Sequence, residues 1–324
     1  MPEDKPAEVL NNGASLGVVV TEITGEADGI LSFELRADND IPLPEWRAGA
    51  HIDVILPNGV IRQYSLCGNP DDRNRWRIGV LRKTDGRGGS QYMHEHVAKG
   101  DRLRVSRPRN HFGLVEAARY LFVAGGIGIT PILPMLDALE RRGKSFTLLY
   151  GGRSRDTMAF VTELETFGDK VALVPQDEAG LLDIAGYLGR PEAGTVAYVC
   201  GPGPLVDAVE RHCADWSIGM LHQERFAPKA KPVIEAGAFE VELSQSGKRL
   251  YVPPSESLLS VLQDAGCEID NSCTAGICGT CLVRVLSGDP DHQDDVLSDE
   301  ERASGEVMLV CVSRSNSDLL VLDL

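Results

Sequence analysis

The sequence predicts a multidomain protein in which an antiparallel β-barrel is followed by a doubly wound parallel α/β domain and a small C-terminal domain built round a metal cluster. Three observations predict this order. From about residue 14 to 112, short apolar runs alternate with turn residues and no long helical pattern occurs. From Tyr120 onward, strand and helix patterns alternate, and a glycine turn follows the first strand. Near the end, Cys273, Cys278, Cys281 and Cys311 are spaced C-x4-C-x2-C-x29-C, the pattern of a plant-type 2Fe-2S loop. The 324 residues suit two or three domains of about 100 to 200 residues each.

Two segments of the barrel region carry chemistry. Arg62-Gln63-Tyr64-Ser65-Leu66 sets a cation, an aromatic ring and a hydroxyl at alternating or adjacent strand positions. Such a set can hold a phosphate, cover a flat ring and hydrogen-bond a ring nitrogen. Gly86-Arg87-Gly88-Gly89-Ser90 precedes a predicted helix from Gln91 to Val97, and a helix start is compatible with phosphate. Taken in isolation, these residues read first as an ordinary strand pair and a hairpin turn.

The α/β region opens on the strand Tyr120 to Ala124, which runs into Gly125-Gly126-Ile127-Gly128-Ile129-Thr130-Pro131. A helix from about Thr130 to Arg142 has Pro131 at its start, where a missing N–H costs little, and Ile132, Met135, Leu136 and Leu139 at helical spacing. A strand from Phe146 to Tyr150, an amphipathic helix through Phe160, Val161, Leu164 and Phe167, and strands Val171 to Val174 and Thr195 to Cys200 complete the unit. The first glycine turn is not a full G-x-G-x-x-G, and a ligand-free strand–helix turn reads the same. A second turn, Cys200-Gly201-Pro202-Gly203-Pro204, falls at the same carboxyl edge, where open α/β sheets bind ligands.

Between the clustered cysteines stand small residues, among them Gly276 and Gly279, that let the backbone wrap closely. Cys311 sits in the apolar run Met308 to Val312, which predicts a strand. A zinc site is the competing reading, but zinc sites usually show two separated Cys-x2-Cys pairs, and here there is one. Cys67, Cys200, Cys213 and Cys267 have no framework spacing; Cys213 and Cys267 are expected in helices as packed free thiols.

The net charge of −16 argues against nucleic acid as a partner. Residues 239–324 hold 16 acidic and 5 basic side chains, a net of −11, which leaves −5 for the rest. Such a surface is either simply solvated or steers a basic partner. The stretch Asp289 to Glu301 is expected as an acidic surface loop between the third and fourth cysteines. Met1 to Gly17 has no apolar core, and no run approaches the roughly 18 apolar residues of a membrane span. With thiolate ligands and free cysteines, this predicts a soluble, cytoplasmic protein, and a monomer fits a shuttle.

Arg62-x-Tyr64-Ser65, Gly88-Gly89-Ser90, Gly125 to Pro131, Cys200-Gly201-Pro202 and the C-terminal cysteine motif, in that order, resemble the phthalate dioxygenase reductase family, and the resemblance covers nearly the whole chain. It implies an antiparallel flavin-binding β-barrel over residues 1–113, a doubly wound parallel α/β nicotinamide domain over 114–226, a linker over 227–238 and a β-grasp 2Fe-2S ferredoxin domain over 239–324. The implied cofactors are FMN, NADH and the cluster. By the same resemblance, Arg62, Ser90 and the amides of Gly88 and Gly89 hold the FMN phosphate. Tyr64 packs on the flavin, Ser65 faces its N5, and Val80, Leu81 and Arg82 line the ring and ribityl chain. Gly126 and Thr130 belong to the nucleotide site, Cys200, Gly201 and Pro202 lie near the nicotinamide, and Phe226 matches a family Phe near the flavin, with interdomain packing as its equal alternative. The family prefers NADH, while Arg153 and Arg155 stand where cations bind the extra phosphate of NADPH.

The implied activity is hydride transfer from NADH to the flavin and one-electron delivery through the cluster to an outside acceptor. The leading acceptor is a terminal oxygenase component, a Rieske-type non-haem iron oxygenase acting on an aromatic acid or a similar small molecule. A cytochrome P450 or other ferredoxin-dependent acceptor is the alternative, and a redox-sensing protein whose cluster takes no electrons from the flavin is a second.

Overall fold

The computed structural model describes residues 15–39, 41–84, 86, 88–217, 219–229 and 237–324. Most of the expected linker, and all but the last three residues of the N-terminal stretch Met1 to Gly17, lie outside the described residues. One compact unit runs to Phe226 and a second from Ala227 to Leu324.

The first unit begins with β1 (Leu16–Ala27), β2 (Ile30–Ala37), β3 (His51–Ile55), β4 (Ile61–Ser65), β5 (Trp76–Leu81), α1 (Gly89–His96) and β6 (Arg102–Val105). The strands form one antiparallel sheet in the order β4-β3-β6-β1-β2-β5. A bridge from Leu66 to Ile78 joins its two edges, so the sheet curls on itself. Alternation sends Val18, Val20, Phe33, Leu35, Trp76, Ile78 and Val80 into one apolar core. The helix begins at Gly89 rather than at Gln91, which brings Gly89 and Ser90 into its first turn.

The same unit continues with β7 (Arg119–Gly125), α2 (Ile129–Arg141), β8 (Ser145–Gly152), α3 (Val161–Glu165), β9 (Val171–Pro175), α4 (Gln176–Ala179), α5 (Ile184–Leu188), β10 (Thr195–Gly201), α6 (Gly203–His212) and β11 (Leu221–Arg225). The sheet is parallel, in the order β11-β10-β7-β8-β9. Its edge strand β11 carries no apolar pattern that would announce it, since its sequence is Leu-His-Gln-Glu-Arg. The amphipathic helix expected through Phe167 shrinks to the five residues of α3, because Phe160 takes a left-handed backbone (φ 60°) and a second turn starts at Gly168. Cys213 caps the end of α6 rather than lying within it.

The second unit holds β12 (Phe239–Leu243), β13 (Arg249–Val252), α7 (Leu258–Asp264), β14 (Leu282–Ser287), β15 (Pro290–Asp291), α8 (Asp299–Ser304), β16 (Val307–Leu309), β17 (Arg314–Ser315) and β18 (Leu319–Leu322). A mixed sheet, β13-β12-β18-β14-β16, grasps α7, whose Leu258, Leu259 and Leu262 enter a core with Val241, Val283 and Leu320. The Ser257 hydroxyl starts α7 by accepting from the Ser260 amide at 3.1 Å. Cys267 lies beyond that helix and is half-buried, not packed within it.

The stretch 289–301 is not simply a surface loop. Asp294 is buried, and its carboxylate accepts from the Val296 and Leu297 amides at 2.9 and 2.8 Å and from Arg302 at 3.1 Å. A buried charge needs such partners, and with them it becomes a fixed structural post. The next amide, Asp295 N–H, donates to Gly276 O at 2.8 Å and docks this stretch on the cysteine loop.

Candidate functional site

Arg62 and Gly89 are brought into contact. A Cβ built on Gly89 would stand 2.5 Å from Arg62 Cγ, so the arginine stem fills the space a side chain would take and lies over the first turn of α1. Gly88 precedes that helix in a left-handed conformation (φ 80°). Ser90 Oγ accepts from the Lys83 amide at 3.0 Å, and its own O–H stays available to donate. A guanidinium beside the free amides of a helix start is a suitable cradle for a phosphate dianion.

Tyr64 and Arg62 share one face of β4, and Ser65 takes the other, opposite His51 on β3. The Tyr64 hydroxyl is buried without a hydrogen-bond partner, and burial holds its pKa well above the ordinary phenol value. The Val80 side chain is wholly inside the barrel core, so a ligand alongside it would meet only backbone. Val80 O is bound by His94 Nε2 at 2.9 Å, Leu81 is partly buried, and Arg82 pairs with Glu95.

The two glycine turns leave adjacent strands, with Ala124 beside Cys200. A Cβ on Gly128 would fall 2.3 Å from Cys200 O, and one on Gly125 2.8 Å from Pro202 Cδ, so the turns pack backbone to backbone. Gly126 has a positive φ of 52° with open space where a Cβ would be, and its carbonyl accepts from the Tyr150 hydroxyl at 3.1 Å. Tyr150 in turn accepts from the Ala159 amide at 3.0 Å, which ties the first turn to the segment before α3. Thr130 is buried, and its hydroxyl donates to Ile127 O at 2.9 Å. It therefore braces the turn, and its O–H is already committed as a donor.

Sequence reading missed the partner of Cys200. Glu224 on β11 places Oε2 3.9 Å from the Cys200 sulfur. Burial pushes the carboxyl up to about 8 and raises the thiol as well. Both groups are therefore protonated at neutral pH, and a neutral hydrogen-bonding pair lies at the end of β10. No spacing in the sequence links the two residues, because adjacency of β10 and β11 alone brings them together. Phe226 stands one residue past β11 with 37% of its surface exposed. Arg155 pairs with Glu165 at 2.5 Å, whereas Arg153 is exposed and forms no ion pair among the described residues.

In the second unit Cys273, Cys278, Cys281 and Cys311 are all buried. The side chains are near enough to perturb one another's ionisation, Cys273 acting on Cys278, and Cys281 and Cys273 on Cys311. Among the described residues, no three or more His, Cys, Asp or Glu side chains surround a single-ion position. Four buried thiols in one loop region are a donor set that would hold a 2Fe-2S cluster. Amides of Ala275 and Thr280 point at the sulfurs of Cys273 and Cys278 at 3.3 and 3.5 Å. Amides aimed at sulfur stabilise the negative charge of a cluster. To aim them the loop takes positive φ at Thr274 (51°) and Gly276 (69°). Cys311 comes from the turn after β16 and not from a strand, a correction to the periodicity reading. The apolar run is genuine, but Val310 is pinned by the Leu259 amide donating to its carbonyl at 2.9 Å, outside the sheet.

A curled sheet with a phosphate cradle, a parallel sheet with paired glycine turns and a four-thiol loop together define a flavin- and nicotinamide-dependent iron-sulfur oxidoreductase. Comparison with known proteins agrees. Residues 241–316 match the 2Fe-2S iron-sulfur cluster binding domain, and residues 122–211 match the oxidoreductase NAD-binding domain. The chain is 42% identical to the phenoxybenzoate dioxygenase subunit beta of Ectopseudomonas oleovorans, covering 96% of this chain and 98% of that one. It is 43% identical to the vanillate O-demethylase oxidoreductase of Pseudomonas putida, covering 95% and 100%. The solved structure of phthalate dioxygenase reductase superposes with a TM-score of 0.70 at 38% identity, over 96% of this chain and 98% of that one. An intact type IV self-sufficient cytochrome P450 monooxygenase matches 99% of this chain at 39% identity and a TM-score of 0.93; this chain spans 43% of that longer protein. The chain belongs to the phthalate dioxygenase reductase family and is an NADH-dependent oxidoreductase that uses FMN and a 2Fe-2S cluster. No helix of the described residues is long and apolar enough to cross a membrane.

Proposed function

We propose that this chain is the reductase component serving a Rieske-type non-haem iron oxygenase that acts on an aromatic acid or similar small molecule. The observation that carries this reading is the full-length match to partners of such reactions, namely proteins named for phenoxybenzoate dioxygenase, vanillate O-demethylase and phthalate 4,5-dioxygenase. When bound, FMN accepts the hydride of NADH and feeds the cluster single electrons.

In this reading the chain's own residues bind and orient. Arg62, with the first turn of α1 and Ser90, holds the FMN phosphate, and Tyr64 and Ser65 meet the ring. The backbone of residues 80–82 lines the flavin, and Phe226 closes near it. Gly126 lets the nucleotide approach the start of α2, and Thr130 keeps that turn rigid. Cys200, Gly201 and Pro202 bound the nicotinamide end. Arg153 is the cation left open toward a nucleotide, whereas Arg155 is held by Glu165. The four cysteines hold the cluster. Residues 1–113, 114–226 and 239–324 serve as the three modules, joined across 227–238, in a cytoplasmic monomer whose acidic third module steers toward a basic face on the oxygenase.

The self-sufficient P450 match favours one alternative, a P450 as acceptor, since there a unit of the same fold is part of a monooxygenase chain. Reconstitution separates the two. The purified protein, NADH and a Rieske oxygenase from the same genome should turn over an aromatic acid, and Cys278→Ser should abolish that turnover. Turnover with a P450 and none with the Rieske protein would reverse the assignment.

A further inference from the structure

Arg77 on β5 reaches from the barrel to the nucleotide fold. Its guanidinium donates to both oxygens of Glu163 on α3, at 2.5 and 2.8 Å, gives a further bond of 2.9 Å to Cys67 O, and lies over the Phe160 ring 5.0 Å from its centre. Phe160 takes its left-handed backbone, a conformation that costs on the order of 1 kcal/mol or more in a bulky residue, just where its ring meets this guanidinium. Two residues along β5, Gly79 is pressed against the other domain. A Cβ there would stand 2.8 Å from Thr130 Cγ2, 3.4 Å from Phe160 Cζ and 3.5 Å from Ile127 Cδ1. One strand therefore touches, within three residues, both α3 and the glycine turn that opens α2, and it leads directly into Val80, Leu81 and Arg82.

We infer that Arg77, clamped by Glu163 and assisted by the missing side chain of Gly79, is a positioning residue that sets the spacing between the flavin strand and the nicotinamide turn, and with it the rate of hydride transfer. The inference rests on the proposed reading of β5 and of residues 126–130 as the flavin and nicotinamide sides. A bidentate arginine–carboxylate pair fixes direction as well as distance, which a lysine point charge does not. Apolar packing alone would hold the domains together yet leave them free to slide. Donor and acceptor must meet at about 3 to 3.5 Å, and a displacement of about 1 Å costs on the order of 100-fold in rate. The clamp residues gain and lose no proton or electron; they act only on the gap across which NADH is oxidised and the flavin reduced.

The test is anaerobic stopped-flow reduction of the holoprotein's flavin by NADH in Arg77→Lys, Glu163→Gln, Gly79→Ala and the charge-exchanged pair Arg77→Glu with Glu163→Arg. The limiting reduction rate should fall on the order of 10- to 100-fold in the single variants, while half-saturation by NADH moves by less than about threefold. FMN content and cluster absorbance should stay at wild-type levels, and the charge-exchanged pair should recover part of the rate. Limiting rates within about twofold of wild type in Glu163→Gln and Gly79→Ala would overturn the clamp, as would losses that merely track lost FMN. If Arg77→Lys does not fold, Glu163→Gln decides, because its carboxylate is partly exposed and its loss leaves the core intact. A wild-type flavin that NADH fails to reduce would instead sink the underlying reading, and the clamp with it.

Discussion

Arg62 and Gly89 are so close that a Cβ on the glycine would lie 2.5 Å from the arginine Cγ. The contact joins a strand of the barrel to the start of α1 and leaves a cation beside free amides. Arg62→Ala should weaken FMN retention about 10- to 100-fold, the worth of charge-assisted bonds of roughly 1.5–3 kcal/mol. Gly89→Ala should do the same by displacing the arginine. Flavin release by ultrafiltration measures both, and normal FMN content in both variants would misplace the phosphate site.

Cys278 is buried in the four-thiol loop of the second unit, and none of the residues placed at the flavin or the nucleotide comes from that unit. Cys278→Ser should remove the cluster absorbance while NADH-driven reduction of an artificial two-electron acceptor persists. Loss of both activities would contradict the modular account.

Glu224, held near a pKa of about 8 by burial beside Cys200, is neutral at pH 7. As the hydride leaves, the nicotinamide ring gains positive charge, and a nearby carboxylate would favour that change. The flavin reduction rate should therefore rise through about pH 8, by up to about tenfold, and Glu224→Gln should stay flat at the low-pH level. A flat profile in the wild type would remove Glu224 from the site. For stability the sign is opposite. A carboxyl raised from 4.5 to about 8 loses protons more readily when unfolded, so it lowers stability progressively as pH rises through that window.

His51, opposite Ser65, is lowered from 6.5 to about 3, first by burial and then by Arg109. Its unfolded form takes up a proton between those values and the folded form does not, so its contribution is full above pH 6.5 and is lost as pH falls. Between pH 6.5 and 5.5 that loss is about 1 kcal/mol. Denaturant titrations of wild type and His51→Asn should differ by this slope, and parallel curves would refute the assignment.

The legible parts of the sequence were those whose signal is local. The cysteine spacing, the glycine turns and the apolar periodicity of α2 depend on neighbours along the chain, and the structure places Arg62 against Gly89 and Cys200 against the first turn. What stayed hidden was tertiary. β11 is polar after Leu221 and is a strand because β10 lends it hydrogen bonds. Glu224 acquires its shifted proton from burial, and Asp294 its burial from Arg302 and two amides, none of which a charge count reveals. Arg77 and Glu163 are 86 residues apart, and nothing in either segment names the other. Cys311 left its expected strand for the same reason, since α7 captures the carbonyl before it.

The central claim is an internal relay from NADH through FMN to the cluster, and an anaerobic titration with NADH tests it most directly, following the flavin and iron-sulfur bands together and identifying the flavin released afterwards. The account predicts that both chromophores bleach and that the flavin is FMN. Bleaching of the flavin with an unchanged cluster would contradict it and turn the protein into a sensor whose two centres do not exchange electrons.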